Sequence, residues 1–107
     1  MTNLEMVFML KDKTTETINK LQKNLETFQK KAKGKKLEDC KAEAQKYAEV
    51  ATKTLSEYTD EIKKYEQQIK ESEMVIVETV TSFMTNVRAF DSFCDRQVQR
   101  VLLGSMI

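Results

Sequence analysis

No proline interrupts this chain, and its apolar side chains return every three or four positions. That spacing is the surface period of an α-helix, and without proline nothing in the backbone forbids long runs of it. Only two glycines, Gly34 and Gly104, are present as breaks. A disordered chain could share that lack of breakers, but here 40% of the residues are apolar and they are periodic. Periodic apolar faces must cover one another, so the chain reads as packed helices. Its 107 residues amount to one domain.

Ile18, Leu21, Leu25, Phe28 and Ala32 form a first stripe. It extends back through Leu4, Val7, Lys11 and Thr14, where polar residues enter the seam. Gly34, within "KGKK", predicts its end. Glycine accepts the left-handed conformation of a helix stop, and lysines suit the negative end of the dipole. A second stripe holds Leu37, Cys40, Ala44, Tyr47, Ala51, Leu55, Tyr58, Ile62, Tyr65 and Ile69. It predicts one helix of about 33 residues, ~50 Å long. A third stripe holds Ile76, Val80, Phe83, Val87, Phe90, Cys94, Val98 and Val101. A single helix over both stripes is too long for a monomer of this size, so a reversal is expected near "QQIKESEM", with Ser72 as N-cap. "RAFDSFCDRQ" marks a further break, where Asp91 or Ser92 would cap a short last helix. The β-branched run "MVIVETVTSFMTNV" has no partner strand and reads as the most buried helix. The expected fold class is therefore all-α: an elongated antiparallel bundle of three or four amphipathic helices, roughly 4–33, 37–70, 73–90 and 92–103, in one domain.

Composition removes several functions. There is no histidine, which removes the commonest general base, the usual triads and the commonest metal ligand. No Glu-x-x-His di-iron motif and no glycine-rich phosphate loop exists. The acids Asp60, Glu61, Glu66, Glu71, Glu73 and Glu78 fall between stripe positions, with nothing to set two carboxylates in opposed environments. No enzyme activity, cofactor or metal is expected. Net charge is +1, too little surplus for a dedicated nucleic-acid binder. The charge is uneven: residues 1–54 carry 12 lysines and 8 acids (+4), and residues 55–107 carry 6 cations and 9 acids (−3). Antiparallel packing would set these halves side by side. No apolar run reaches the ~20 residues of a membrane span. The opening "MTNLEMVFML" has no basic n-region and no cleavage site, so it is not an intact signal peptide. A secreted chain with its signal removed would read the same way.

Cys40 and Cys94 both lie on apolar stripes. They read either as buried thiols or as one disulfide, and we expect the disulfide. With the reversal near residue 70, Cys40 lies about 45 Å from it and Cys94 about 36 Å. The bond therefore needs a shifted reversal or a further turn near Asp91. A disulfide would place the protein outside the cell.

The lysines of "FQKKAKGKK", Lys30, Lys31, Lys33, Lys35 and Lys36, read first as a solvated helix end and turn. They are also the candidate partner-binding residues, for an acidic protein face, a polyanion or lipid headgroups. No aromatic residue interleaves them, so stacking on single-stranded nucleic acid is not indicated. Tyr47, Tyr58 and Tyr65 are expected to rim the core with their hydroxyls in water. The ends, "MVFML" and "VLLGSMI", either fold over the core, which we expect, or present an apolar interface containing Met6, Met9 and Met106.

Two stretches, "LEDCKAEAQKYAEVATKTLSEYTDEIKKYEQQI" and "FDSFCDRQVQRVL", resemble small helical salivary proteins of anopheline mosquitoes. That group includes inhibitors of the complement alternative pathway and of contact activation. The likeness lies in size, helical pattern and cysteine placement, and it transfers no functional residue. It implies a secreted, non-enzymatic protein that binds a host protease complex through its surface. Two other readings come from the stripes themselves. One is a structural coiled coil or homo-oligomer in which stripes 18–32 and 37–69 pair between chains. The other is a carrier of lipid or a small hydrophobic ligand, with segment 74–93 opening into a cavity.

Overall fold

A computed structural model of the chain describes residues 2–106, and side chains as far as Gly104. It contains three long helices and one short one: α1 (Asn3–Ala32), α2 (Leu37–Lys64), α3 (Glu66–Lys70) and α4 (Met74–Met106). No strand occurs among the described residues. The bundle measures 52 × 17 × 16 Å, the proportions of long helices side by side.

Local chemistry sets the boundaries. α1 opens on a capping box: Thr2 Oγ1 accepts the Glu5 N–H at 3.1 Å, and the Glu5 carboxylate accepts the Thr2 N–H at 3.5 Å. It closes as expected on Gly34, whose φ of +74° is left-handed backbone that other residues adopt at a cost. The N–H of Lys35 folds back onto Ala32 O at 3.1 Å.

α2 is shorter than its stripe predicts. It ends at Lys64, because Tyr65 leaves helical geometry (φ −110°, ψ 7°) and starts the single turn of α3. The predicted cap at Ser72 is also corrected. Its hydroxyl donates backward to Gln68 O, closing α3, while the carbonyl of Glu73 accepts the first N–H groups of α4, from Ile76 and Val77. No break occurs at Asp91 or Ser92, because α4 runs through both. Val87, Cys94 and Val98 hold one continuous buried face across that point, and packing along it outweighs a weak capping signal.

α1 packs along both α2 and α4, which meet each other less closely. Chain direction alternates, so α1 and α4 run parallel with α2 antiparallel to both. The α1 seam is Met6, Leu10, Thr14, Thr17, Leu21, Leu25, Phe28 and Ala32. The first half of this list corrects the predicted register. Leu4 is 63% exposed and Lys11 is exposed, while Met6 and Leu10 are sealed. Two threonines enter the core because their hydroxyls bond within their own helix, Thr14 to Leu10 O at 2.6 Å and Thr17 to Lys13 O at 2.7 Å.

The tyrosine expectation is overturned for two of three. Tyr47 and Tyr58 are 3% and 4% exposed, so their hydroxyls do not reach water. Tyr65 alone stays at the rim, where its hydroxyl meets Met9 Sδ at 3.9 Å. The termini are mixed rather than wholly covered. Met6 is buried, but Leu4 and Phe8 are exposed, as is Leu103. The side chain of Met106 lies outside the described residues.

Candidate functional site

Three surfaces follow from this arrangement. The first is the lysine end. Lys30 and Lys31 occupy the last turn of α1, and Lys33, Lys35 and Lys36 make the link to α2. All five are exposed. Lys35 reaches Glu43 at 3.7 Å, a carboxylate it shares with Lys46. The other four have no ion pair among the described residues. Beneath them a cavity of about 350 Å³ opens between α1 and α2, lined by Asn24, Phe28, Lys31, Glu43, Lys46 and Tyr47. Asn24 crosses the seam and donates to Tyr47 O at 3.0 Å, and the Phe28 and Tyr47 rings pack 5.9 Å apart.

The second is the polar upper part of the α2–α4 seam. It brings Tyr47 of α2 against Cys94 of α4, with Asp91 and Asp95 nearby. Burial drives the Tyr47 hydroxyl strongly upward in pKa, and the adjoining Cys94 reinforces it. Tyr47 Oη is buried and makes no well-formed hydrogen bond; the Cys94 thiol is the polar group beside it. Burial likewise raises the Cys94 pKa, against the opposing pull of the Tyr47 hydroxyl. This thiol is protonated and shielded, the reverse of a reactive cysteine.

The expected disulfide is absent. Both cysteines are buried thiols, not bonded to one another. Register is the cause. Cys94 faces Tyr47, and Cys40 lies seven positions before Tyr47 on α2, about 10 Å away along the helix. That exceeds the ~7 Å limit on Cα separation, and the straight α4 supplies no turn to close the gap. Cys40 meets a different need: its Sγ lies 3.5 Å from Ala32 O and 3.7 Å from Lys35 O, at the end of α1. Intact mass after alkylation without reductant should therefore show two added groups in denaturant and essentially none in native buffer. A reductant requirement for either would restore the disulfide.

Asp91 is half-buried on α4, and burial followed by repulsion from Asp95 raises its pKa above the usual carboxylate range. Ionising it therefore costs more in the folded chain than in the unfolded one. Its burden on stability grows as pH rises from about 3.8 through the raised folded value. Asp91→Asn should raise the melting temperature at pH 7, with the gain fading toward pH 3. A gain that is constant with pH would contradict this assignment.

The third surface is the lower α2–α4 seam, nearer α3. Two adjoining cavities of about 190 and 290 Å³ share Thr59, Ile62 and Met84. Leu55, Tyr58 and Val87 line the first, and Ile69 and Val80 the second. Val80, Met84 and Val87 lie in the segment 74–93 that the carrier reading set against a cavity, while the α2 and α3 walls, Leu55, Ile62 and Ile69, belong to a stripe that looks fully paired in the sequence. No cluster of three or more metal-ligating side chains occurs among the described residues. No described helix is long and apolar enough to cross a membrane.

The fold thus defines an all-α bundle of three long helices with one seam left partly open. No protein-family model, curated protein or solved structure matches the chain.

Proposed function

We propose that this is a secreted, non-enzymatic binding protein that acts by contact with another protein, and that the contact is made by the lysine end. The observation that carries the reading is the unbalanced charge there. Lys30, Lys31, Lys33 and Lys36 crowd one end of the bundle without ion-pair partners among the described residues. Unpaired surface cations speed encounter with an acidic face and lose that effect in high salt. Exposed Leu103 of α4, which ends near the same turn, adds apolar area. The resemblance to salivary inhibitors gives the partner class: a component of the complement alternative pathway or of contact activation. Binding would obstruct assembly sterically.

The test is a pair of plasma assays, contact-activated clotting time and alternative-pathway haemolysis, with the native chain and a variant in which all five lysines become glutamate. The native chain should prolong clotting or suppress lysis, and the variant should lose most of that effect. Inactivity of the native chain in both assays would remove the inhibitory role. An effect untouched by charge reversal would remove the lysine end as its seat.

A second reading, self-association, has its own observation. Leu4, Phe8, Met74 and Val75 are 55–75% exposed. All four lie toward the opposite end, because Asn3 at the start of α1 bonds Gln68 of α3 and α4 begins four residues after α3 ends. Much of stripes 18–32 and 37–69 is covered within one chain, so this reading places the contact on those four exposed side chains instead. Light scattering that gives the monomer mass at every concentration would remove this reading.

A further inference from the structure

We propose that the lower α2–α4 seam is a binding groove for a single-chain carboxylate amphiphile, a medium-chain fatty acid. The floor is apolar: Leu55 and Ile62 from α2, Ile69 from α3, and Val80, Met84 and Val87 from α4. Thr59, the polar residue at the junction of the two cavities, turns its hydroxyl back to Leu55 O at 2.9 Å, so it asks nothing of a ligand. α1 packs along both α2 and α4, which meet each other less closely and so leave this seam partly open.

The rim decides the head group. Lys63 borders one cavity and Arg88 the other, both exposed and neither in an ion pair among the described residues. The acid at this rim, Glu66, is already held by Lys70 at 3.4 Å. Neighbouring Glu61 is likewise occupied by Lys64 at 3.3 Å. What remains uncompensated over the apolar floor is positive, and its complement is one anionic head on one aliphatic chain. Two adjoining cavities of about 190 and 290 Å³, with about 10 Å of helix along each wall, suit a single aliphatic chain lying lengthwise. The site lies well away from the lysine end, so its failure would leave the protein-contact reading untouched.

The probe is decanoate, titrated into the full chain and followed by the ¹³C-methyl resonances of the methionines. Met84 should shift and saturate while Met6, sealed on α1, stays in place. Decyltrimethylammonium, with the same chain and the opposite charge, should leave Met84 unmoved. Lys63→Glu with Arg88→Glu should weaken decanoate binding about tenfold or more. If that pair fails to fold, Lys63→Gln with Arg88→Gln removes the same charge and should weaken it in the same direction. No Met84 shift at millimolar decanoate, or equal response to both head groups, overturns the proposal. Binding to vesicles of anionic lipid without a Met84 shift also overturns it, by assigning the two cations to a membrane surface instead.

Discussion

Leu21→Ala is expected to lower the free energy of unfolding by about 2–5 kcal/mol, the range for deleting a buried leucine side chain. Leu21 is fully buried on α1, the helix that packs along both α2 and α4. A void there loses core contacts outright, and helices of this length do not collapse easily into it. A domain of this size has about 5–15 kcal/mol in total, so the loss is a large share. Urea denaturation followed by helical circular dichroism should show a lower midpoint with an unchanged slope. Leu4→Ala is the control. Leu4 is 63% exposed, and its loss should fall within about 0.5 kcal/mol. Equal costs at the two positions would mean that α1 is not seated as described.

Thr14→Val carries the next largest effect. Thr14 has one hydroxyl proton, which goes to Leu10 O at 2.6 Å. The 2.8 Å contact between Thr14 Oγ1 and Tyr58 Oη must then have the tyrosine as donor. Burial raises the Tyr58 pKa and keeps that proton in place. Valine preserves the shape of Thr14 but leaves Tyr58 Oη buried without an acceptor. We expect a cost of about 1–3 kcal/mol. Adding Tyr58→Phe to that variant should recover part of it, since the stranded hydroxyl is then gone. Tyr47→Phe provides the contrast. Its hydroxyl has no well-formed partner to lose, so the change should be neutral or stabilising by up to about 1 kcal/mol. Thermal melts of the three variants decide the matter, and a Tyr47→Phe cost matching that of Thr14→Val would refute the difference between the two tyrosines.

Much of the bundle was legible as sequence. The stripe from Leu21 to Ala32, the stop at Gly34 and the restart at Leu37 each rest on interactions within a few residues. Helical period, left-handed glycine and terminal lysines act locally, so they read locally. The Thr2…Glu5 capping box is equally local, a Thr-x-x-Glu pattern standing in the sequence itself. Other signals misled because competing local options differ by little. Ser72 and Asp91 are both good capping residues, and only the continuous packing of Val87, Cys94 and Val98 decides that α4 does not pause. The seam of α1 slipped for a related reason. Steps of three and four accumulate phase, and near the start of the chain both Leu4 and Met6 fit a stripe.

The candidate sites divide in the same way. The lysine end was visible because its charges are consecutive in the chain. The α2–α4 groove was visible only on its α4 side, within segment 74–93, because the positions of Ile62 and Ile69 look no different from those of a closed seam.

Spacing of apolar side chains, freedom from proline and one well-placed glycine were enough to make this chain helical, elongated and folded back on itself, since each acts within a turn or two of its own position. Tertiary structure decided which cysteine faces which residue, which tyrosine keeps its proton bonded and which seam stays open. Those outcomes turn on axial shifts of a few ångströms between helices, which a period of 3.6 residues leaves unspecified.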